Sequence, residues 1–343
     1  MTFFMVSNTI RFCVVLTAFT SGLVVQGQRL ELLRSARPVL DAHNCYPYEG
    51  RWADRIDRAL STGFPVAIEQ DLAWYVDPAT SNGRIVVSHT PHTTGAEPTL
   101  RDYFFERVRP LVQKALQENR RETWPLIVVH FDFKDNQTPL LRAVWALLGE
   151  YESWITTAPK TANAQQLQPF DWKPLLVLTE DSDAQERMFF TDLPAGARLR
   201  LFGSAHSSSV VAKNDAEKNH LLATLPPKRL LSEKPTNYRR WWNNSWYVVE
   251  EGGQPRAGRW TAADEARLHS LVDYAHGLGF SIRFYTLDGF APQDDQGWGR
   301  DYNFGSLDAV RERWKAALEA GVNLIATDQY EILAECMRQE SKK

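Results

Sequence analysis

The stretch Phe64–His89, FPVAIEQDLAWYVDPATSNGRIVVSH, predicts a strand, a loop and a second strand. Glu69 and Asp71 are two residues apart, so in an extended strand they project from the same face of an otherwise apolar run. Two neighbouring carboxylates on a buried strand need a cation or several hydrogen-bond donors to remain ionised. The pair therefore predicts a divalent metal site with oxygen ligands. The alternative is an edge strand whose polar face meets water.

Short apolar strands alternate with amphipathic helices along the whole chain, which indicates a parallel sheet. About eight such units favour an α/β fold of the closed (β/α)₈ TIM-barrel type over an open doubly wound sheet. Helices are predicted, among others, over Arg51–Ser61, Pro139–Thr157 and Leu307–Ala320. The predicted strands are Pro38–Asn44, the strand that carries Glu69 with its partner Arg84–His89, Pro125–Lys134, Lys173–Glu180, Arg198–Ala205, Trp246–Glu250, Phe280–Leu287 and Val322–Thr327.

Residues 1–27 are expected to be a secretory signal peptide. The apolar run Phe12–Val25 follows a basic residue, and Val25 and Gly27 are small residues suited to a cleavage site. The run is shorter than the roughly 20 apolar residues of a spanning helix, although an uncleaved N-terminal membrane anchor stays open. Residues 28–343 are then expected to form a single secreted domain, extracellular or periplasmic.

The composition excludes one class of partner and leaves others open. The net charge is −3 and no basic block stands out, which argues against nucleic-acid binding. Twelve tryptophans leave peripheral contact with a membrane open, although packing is the commoner reason for a tryptophan. Cys45 and Cys336 remain beyond the signal, so one disulfide is open. The oligomeric state is not indicated.

Polar residues stand at the ends of the first predicted strands. His43 ends the first strand, His89 ends the hairpin, and Asp132 and Lys134 end the next strand. Barrel enzymes carry their catalytic groups at the carboxyl ends of the strands, so these side chains are expected to meet there. The alternative for His43 is a hydrogen-bonded structural histidine. Asn44 is open to a turn role.

At these positions the chain resembles the glycerophosphodiesterase and phosphatidylinositol-phospholipase-C-like superfamily. The resemblance spans about residues 38–330 and includes the closing segment Gly321–Asp328, which is similar to the family's "G-V-D-x-I-x-T-D". The closest branch contains secreted bacterial proteins and a fungal mitochondrial-inheritance group. The Asp132-x-Lys134 pair also resembles sphingomyelinase D. The chain departs from the usual His-Arg-Gly opening with His43-Asn44-Cys45, has Asp132 for a glutamate, and has Tyr285 for a tryptophan.

The resemblance implies a metal-dependent phosphoric diester hydrolase acting on a phospholipid headgroup or a glycerophosphodiester. The residues carried over are His43 and His89 as the general base or nucleophile and the general acid, Glu69, Asp71 and Asp132 as ligands of one Mg²⁺ or Ca²⁺, and Lys134 as a phosphate contact. From the residues alone, Asn44 is open to orienting a histidine or binding phosphate, and Tyr285 is open to contacting the substrate at the barrel mouth. Hydrolysis of such an anion needs a cation and two groups that move protons, which this set supplies.

Two other functions stay open at this point. One is a secreted protein that binds a phosphorylated ligand on an inactive barrel. The other is a glycoside hydrolase, which also uses paired carboxylates on barrels, although Glu69 and Asp71 are too close in sequence to flank a sugar ring. Among hydrolase outcomes, water attack and transfer to a cyclic phosphate are not distinguished.

Three further buried positions are considered. Asp41 shares a strand face with His43 and is open to being its partner. His130 is expected to be a core residue with a satisfied hydrogen bond. Arg283 and Tyr285 share a strand face and are open to lining the barrel mouth.

Overall fold

A closed barrel of eight parallel strands forms the protein. The computed structural model describes residues 37–48, 51–253, 257–291, 293 and 303–341. The barrel strands, in chain order, are β1 (Val39–Ala42), β2 (Val66–Val76), β4 (Ile127–Phe133), β6 (Leu175–Thr179), β8 (Phe202–Ser204), β9 (Arg239–Ser245), β10 (Ser281–Tyr285) and β11 (Leu324–Thr327). Each pairs with the next, and β1 pairs with both β2 and β11, which closes the sheet. The predicted (β/α)₈ fold is confirmed.

The second strand is longer than its neighbours. Its first half lies between β1 and β4, and its second half, Leu72–Val76, forms an antiparallel hairpin with β3 (Gly83–Val87). The half that carries Glu69 and Asp71 is therefore an interior strand. Both carboxylates are buried, so the edge-strand alternative is wrong.

Helices cover the outside of the barrel, one or more after each strand. They are α1 (Arg55–Ser61), α2 (Glu106–Glu118), α3 (Thr138–Glu150), α4 (Asp183–Glu186), α5 (Asp215–Thr224), α6 (Pro227–Leu230), α7 (Ala262–Leu278), α8 (Leu307–Ala320) and α9 (Tyr330–Glu340). The predicted bounds of α8 are confirmed. Ser306 caps its first turn, and Gly321 ends it in the left-handed conformation with φ of 78°.

Two predicted strands differ from the structure. The segment Arg198–Ala205 divides: β7 (Arg198–Leu199) pairs outside the barrel with β5 (Ala158–Pro159), and only Phe202–Ser204 joins the barrel. The segment Trp246–Glu250 is a tight turn rather than a strand. The sixth barrel strand is instead β9, which comes from the tryptophan-rich segment just before it.

Two predicted helices also differ in extent. The helix predicted over Pro139–Thr157 ends at Glu150, because Tyr151–Trp154 tightens into a turn and Ile155 bridges to β6. The first helix begins at Arg55 rather than Arg51, since Trp52 has a left-handed backbone with φ of 59°.

The ends of the chain leave some expectations untested. The signal peptide predicted over 1–27 lies outside the described residues, and the domain bounds 28–343 stay a prediction. Among the residues that the structure does describe, no helix has both the length and the apolarity to cross a bilayer. Cys45 and Cys336 are not joined in a disulfide.

Candidate active site

Three predicted metal ligands meet at the carboxyl end of the barrel. Glu69 and Asp71 lie on β2 and Asp132 on β4, where the strand register places Asp71 directly beside Asp132. Each offers one oxygen, and these oxygens lie within 4.8 Å of one another. Hard divalent cations take such oxygen sets. Their role as ligands remains a prediction.

Burial and neighbouring charges shift the pKa values of the three carboxyl groups in this cluster. Burial, followed by the charge of Asp132, raises the pKa of Asp71 well above its usual range. Burial also raises the pKa of Asp132, against the effect of Lys134. Glu69 behaves differently: burial opposes its charge, but His43 and Arg283 outweigh burial and hold its pKa below the ordinary range. A further cation would favour the ionised form of all three.

Lys134 lies between two of these carboxylates. Its Nζ is 2.7 Å from Asp71 Oδ2 and 2.7 Å from Asp132 Oδ2. Burial disfavours its charge, but the two aspartates raise the pKa of Lys134 above its usual range. The ammonium has three N–H donors, so two are engaged here and one remains for a substrate oxygen.

His43 follows β1 and points toward the same cluster. Its Nε2 lies 3.7 Å from Glu69 Oε2, and its Nδ1 lies 2.8 Å from Asp328 Oδ1. Burial opposes protonation, but Glu69 and Asp328 together raise the pKa of His43 to about 9. Arg55 donates to Asp328 Oδ2 at 3.2 Å, and Tyr330 donates to the His43 carbonyl at 2.6 Å. The imidazole is therefore fixed from several sides.

His89 lies on the solvent side of the site. Its ring packs against Tyr46 and meets the edge of Tyr48, with ring centroids 6.4 Å apart in both pairs. Burial and the positive charges of Lys134 and His43 lower its pKa. The structure thus brings both predicted histidines to one end of the barrel.

Asn44 has both a turn role and a site role. Its backbone is left-handed with φ of 49°, a conformation that asparagine tolerates better than most residues. Its Nδ2 donates to Asp328 Oδ1 at 3.1 Å and lies 2.8 Å from His43 Nδ1. The two readings of this residue are therefore compatible. Tyr285, at the end of β10, stacks on the His43 ring with centroids 6.2 Å apart.

The prediction for Asp41 is wrong. Asp41 does not contact His43 but forms a buried ion pair with Arg283, whose guanidinium crosses the barrel interior. Arg283 Nη2 also donates to Glu69 Oε2 at 2.7 Å, and Nη1 donates to Asn243 Oδ1 at 3.0 Å. The partner of His43 is Asp328, whose only sequence signal was the family's closing motif. Arg283 is buried inside the barrel rather than lining its mouth.

His130 is buried, as predicted, and its Nε2 lies 2.6 Å from Glu180 Oε1. Burial opposes protonation, but Glu180 raises the pKa of His130. Asn243 donates to the same glutamate at 3.0 Å. His130 is thus an ion-pair partner inside the barrel rather than an ordinary core residue.

A charge balance tests whether a divalent cation fits. The inner group contains four carboxylates and two permanent cations in direct contact: Asp41, Glu69, Asp71 and Asp132 against Lys134 and Arg283. Full ionisation of these six groups leaves a charge of about −2, which a protonated His43, 3.7 Å from Glu69, reduces to about −1. One oxygen of Asp71, Oδ1, is buried and has no hydrogen-bond partner among the described residues. The residues therefore fit a divalent cation in both charge and donor type.

In two other groups of acids and histidines, protein partners already occupy several of the atoms that could bind an ion. In one, His43, Asp288 and Asp328 are already bonded to one another or to Arg55. In the other, which consists of Asp183, Glu186 and His206, Glu186 is paired with Arg239 and His206 with Asp181.

Solved structures similar to this chain include two glycerophosphodiester phosphodiesterases from Parabacteroides distasonis. One is 14% identical, with a TM-score of 0.41 over 91% of this chain and 90% of that chain. The other is 11% identical, with a TM-score of 0.44 over 89% and 98%. A Plasmodium falciparum HPPK-DHPS structure is 8% identical, with a TM-score of 0.42 over 89% and 48%. No protein-family model and no curated protein matches the chain.

The family resemblance and the branch within that family stay predictions from the motifs. Because sequence identities and TM-scores are low, the case for a function depends on the side chains of the site.

Proposed function

We propose that this protein is a metal-dependent phosphoric diester hydrolase that acts on a phospholipid headgroup or a glycerophosphodiester. The observation that carries the proposal is the meeting of His43 with a three-carboxylate cluster, with His43 Nε2 3.7 Å from Glu69 Oε2. A group that moves protons beside a cation site is what hydrolysis of a phosphodiester requires.

Glu69, Asp71 and Asp132 would hold the ion, Mg²⁺ or Ca²⁺. When bound there, the ion would neutralise charge that develops on the phosphate during the reaction. Lys134 would add its remaining N–H to a phosphate oxygen. Asn44 and Tyr285 would border the substrate.

His43 would act as the general base or nucleophile through Nε2. Against the effect of burial, Glu69 and Asp328 raise the pKa of His43 to about 9, so the imidazole is protonated at neutral pH. A cation that offsets the charge of Glu69 would lower this pKa, and the neutral imidazole that donates its Nδ1–H to Asp328 would then offer the Nε2 lone pair. His89 would be the general acid, and its lowered pKa makes it a readier proton donor once it is protonated.

The choice between water attack and transfer to a cyclic phosphate would depend on whether the substrate offers a neighbouring hydroxyl. Secretion, an uncleaved membrane anchor and peripheral membrane contact remain proposals from the sequence.

The test is hydrolysis of bis(p-nitrophenyl) phosphate and of a small phospholipid panel by the chain from residue 28. We expect activity that disappears with EDTA and returns with Mg²⁺ or Ca²⁺. His43→Ala should lower the rate by about 10²- to 10⁴-fold, the usual contribution of acid–base catalysis. His269→Ala is the matched control, because His269 lies on α7 with its side chain paired only to Glu265 nearby.

Two outcomes would contradict the proposal. Binding of phosphorylated ligands without turnover of any diester, with the ion bound, would favour an inactive barrel. Hydrolysis of aryl glycosides that survives EDTA would favour a glycoside hydrolase.

A further inference from the structure

Each of the three predicted ligand carboxylates has one oxygen held by a protein donor. Arg283 Nη2 donates to Glu69 Oε2 at 2.7 Å. Lys134 Nζ donates to Asp132 Oδ2 at 2.7 Å and lies 2.7 Å from Asp71 Oδ2. A second donor, the Tyr46 hydroxyl, reaches the same Asp71 oxygen at 2.6 Å. One side of every carboxylate is thus fastened to the barrel.

The other oxygens face a different environment. Asp71 Oδ1 is buried and has no hydrogen-bond partner in the described part of the chain. No hydrogen bond from the described part of the chain reaches Glu69 Oε1 or Asp132 Oδ1. Buried polar atoms are normally satisfied, so an orphaned carboxylate oxygen beside two others indicates a ligand position. Partners that fix ligand orientation in this way usually affect metal affinity.

Tyr46 differs from the other two donors in carrying no charge. It is fully buried, and its hydroxyl also lies 2.7 Å from Asn44 Oδ1. Asn44 in turn donates to Asp328, the partner of His43. A hydroxyl has one proton, so Asn44 and Asp71 share it. Tyr46 therefore connects the carboxylate half of the site to the histidine half.

We infer that Tyr46 is a positioning residue of the metal site, which holds Asp71 with Oδ1 turned toward the ion and couples that ligand to Asn44. The inference rests on the proposed function, because it requires a divalent cation on Glu69, Asp71 and Asp132. Removing the hydroxyl leaves the formal charge of the site unchanged. Its effect on metal affinity therefore reports the loss of the hydrogen bonds to Asp71 and Asn44.

The experiment is calorimetric titration of Mg²⁺ into the full chain from residue 28 and its Tyr46→Phe variant, without substrate. We expect the variant to bind Mg²⁺ about tenfold more weakly. Tyr238→Phe is the matched control, because the Tyr238 hydroxyl is also buried and has no hydrogen-bond partner. Its Mg²⁺ affinity should equal that of the unaltered protein. The electron paramagnetic resonance spectrum of bound Mn²⁺ should change only in Tyr46→Phe.

A double-mutant cycle tests the connection to Asn44. Asn44→Ala should change the Mg²⁺ affinity when Tyr46 is present and leave it unchanged in the Tyr46→Phe background. Additive effects would overturn the coupling. Should Tyr46→Phe be too unstable for calorimetry, the rise in its melting temperature with Mg²⁺ gives the same affinity by linkage.

The failures of the two proposals are distinguishable. If the unaltered protein binds Mg²⁺ and Tyr46→Phe binds it equally well, the role of Tyr46 is wrong and the proposed function stands. If the unaltered protein binds neither Mg²⁺, Ca²⁺ nor Mn²⁺, the metal site of the proposed function is wrong, and the inference fails with it.

Discussion

At the scale of single residues, Asp288 contacts Asp328, which in turn contacts His43. Asp288 Oδ1 accepts from the Thr327 hydroxyl at 2.6 Å and from the Asp328 backbone N–H at 2.7 Å. Burial, followed by the charge of Asp328, raises the pKa of Asp288 to about 7. Asp288 thus positions Asp328, although its own carboxyl group stays protonated to a higher pH than that of an ordinary aspartate.

This pKa predicts how stability depends on pH. Between the ordinary aspartate pKa and about 7, folded Asp288 retains a proton that the unfolded chain has lost. The stability contribution of Asp288 therefore falls as pH rises through that window, and becomes constant above it. Asp288→Asn keeps the accepting oxygen but does not titrate. We expect its free energy of unfolding to rise relative to the unaltered protein between pH 4 and 7, measured by urea denaturation. A difference that is constant with pH would contradict this.

The spacing of neighbouring residues predicted part of the site, whereas pairs between distant segments could not be predicted from the sequence. Glu69 and Asp71 share a strand face because side chains alternate, so their proximity follows from sequence alone. His43 and Asp328 contact each other where β1 pairs with β11 and closes the barrel. Nothing in the local sequence of either segment indicates this pair. Asp41 shares a strand face with His43 but pairs with Arg283, which reaches it from a strand on a distant part of the chain. The local spacing could not indicate that pairing.

Glu250 shows at the scale of elements why the segment after β9 is a turn. Its Oε2 accepts from Trp246 Nε1 at 2.7 Å, and its Oε1 lies 2.6 Å from Arg313 Nη2 on α8. Both partners of this ion pair are buried. A continued strand would carry Glu250 away from Trp246, so the side-chain contacts favour the turn.

Removing the charge of Glu250 should destabilise the fold. Glu250→Gln leaves Arg313 buried without its anion, and loss of one partner of a buried pair costs about 3 kcal/mol or more. Glu312→Gln is the control, because Glu312 also contacts Arg313, at 3.3 Å, but is exposed. Its effect should stay within about 0.5 kcal/mol. Chemical denaturation measures both, and equal losses would show that the buried pair is not the cause.

The β9 segment was difficult to place from sequence for a related reason. Its apolar residues are tryptophans interrupted by arginine and asparagine, which matches no simple strand alternation. Arg239 is buried because Asp181 and Glu186 from other elements neutralise it. Strands β4 and β6, which both begin with an apolar run, were predicted close to their observed bounds.

The whole molecule is a barrel with a charged interior at one end. Closure through β1 brings acids from β1, β2 and β4 opposite Arg283 of β10. Alternating strands and helices predicted this closure, whereas the charge balance inside depends on side chains from distant units. The residual negative charge near Glu69 opposes folding unless a cation offsets it.

A divalent cation should therefore stabilise the whole fold. The unfolded chain lacks the clustered carboxylates, so Mg²⁺ at 100 times its Kd should add about 2.7 kcal/mol of stability. We expect the melting temperature to rise with Mg²⁺ or Ca²⁺ and to return to its starting value with EDTA, measured by scanning calorimetry. KCl of equal ionic strength should have little effect, because a cluster of carboxylate oxygens binds a hard divalent cation in preference to K⁺. Glu69→Gln should abolish the rise, whereas Asp308→Asn, on an almost fully exposed side chain, should retain it. A rise that persists in Glu69→Gln would place the ion elsewhere.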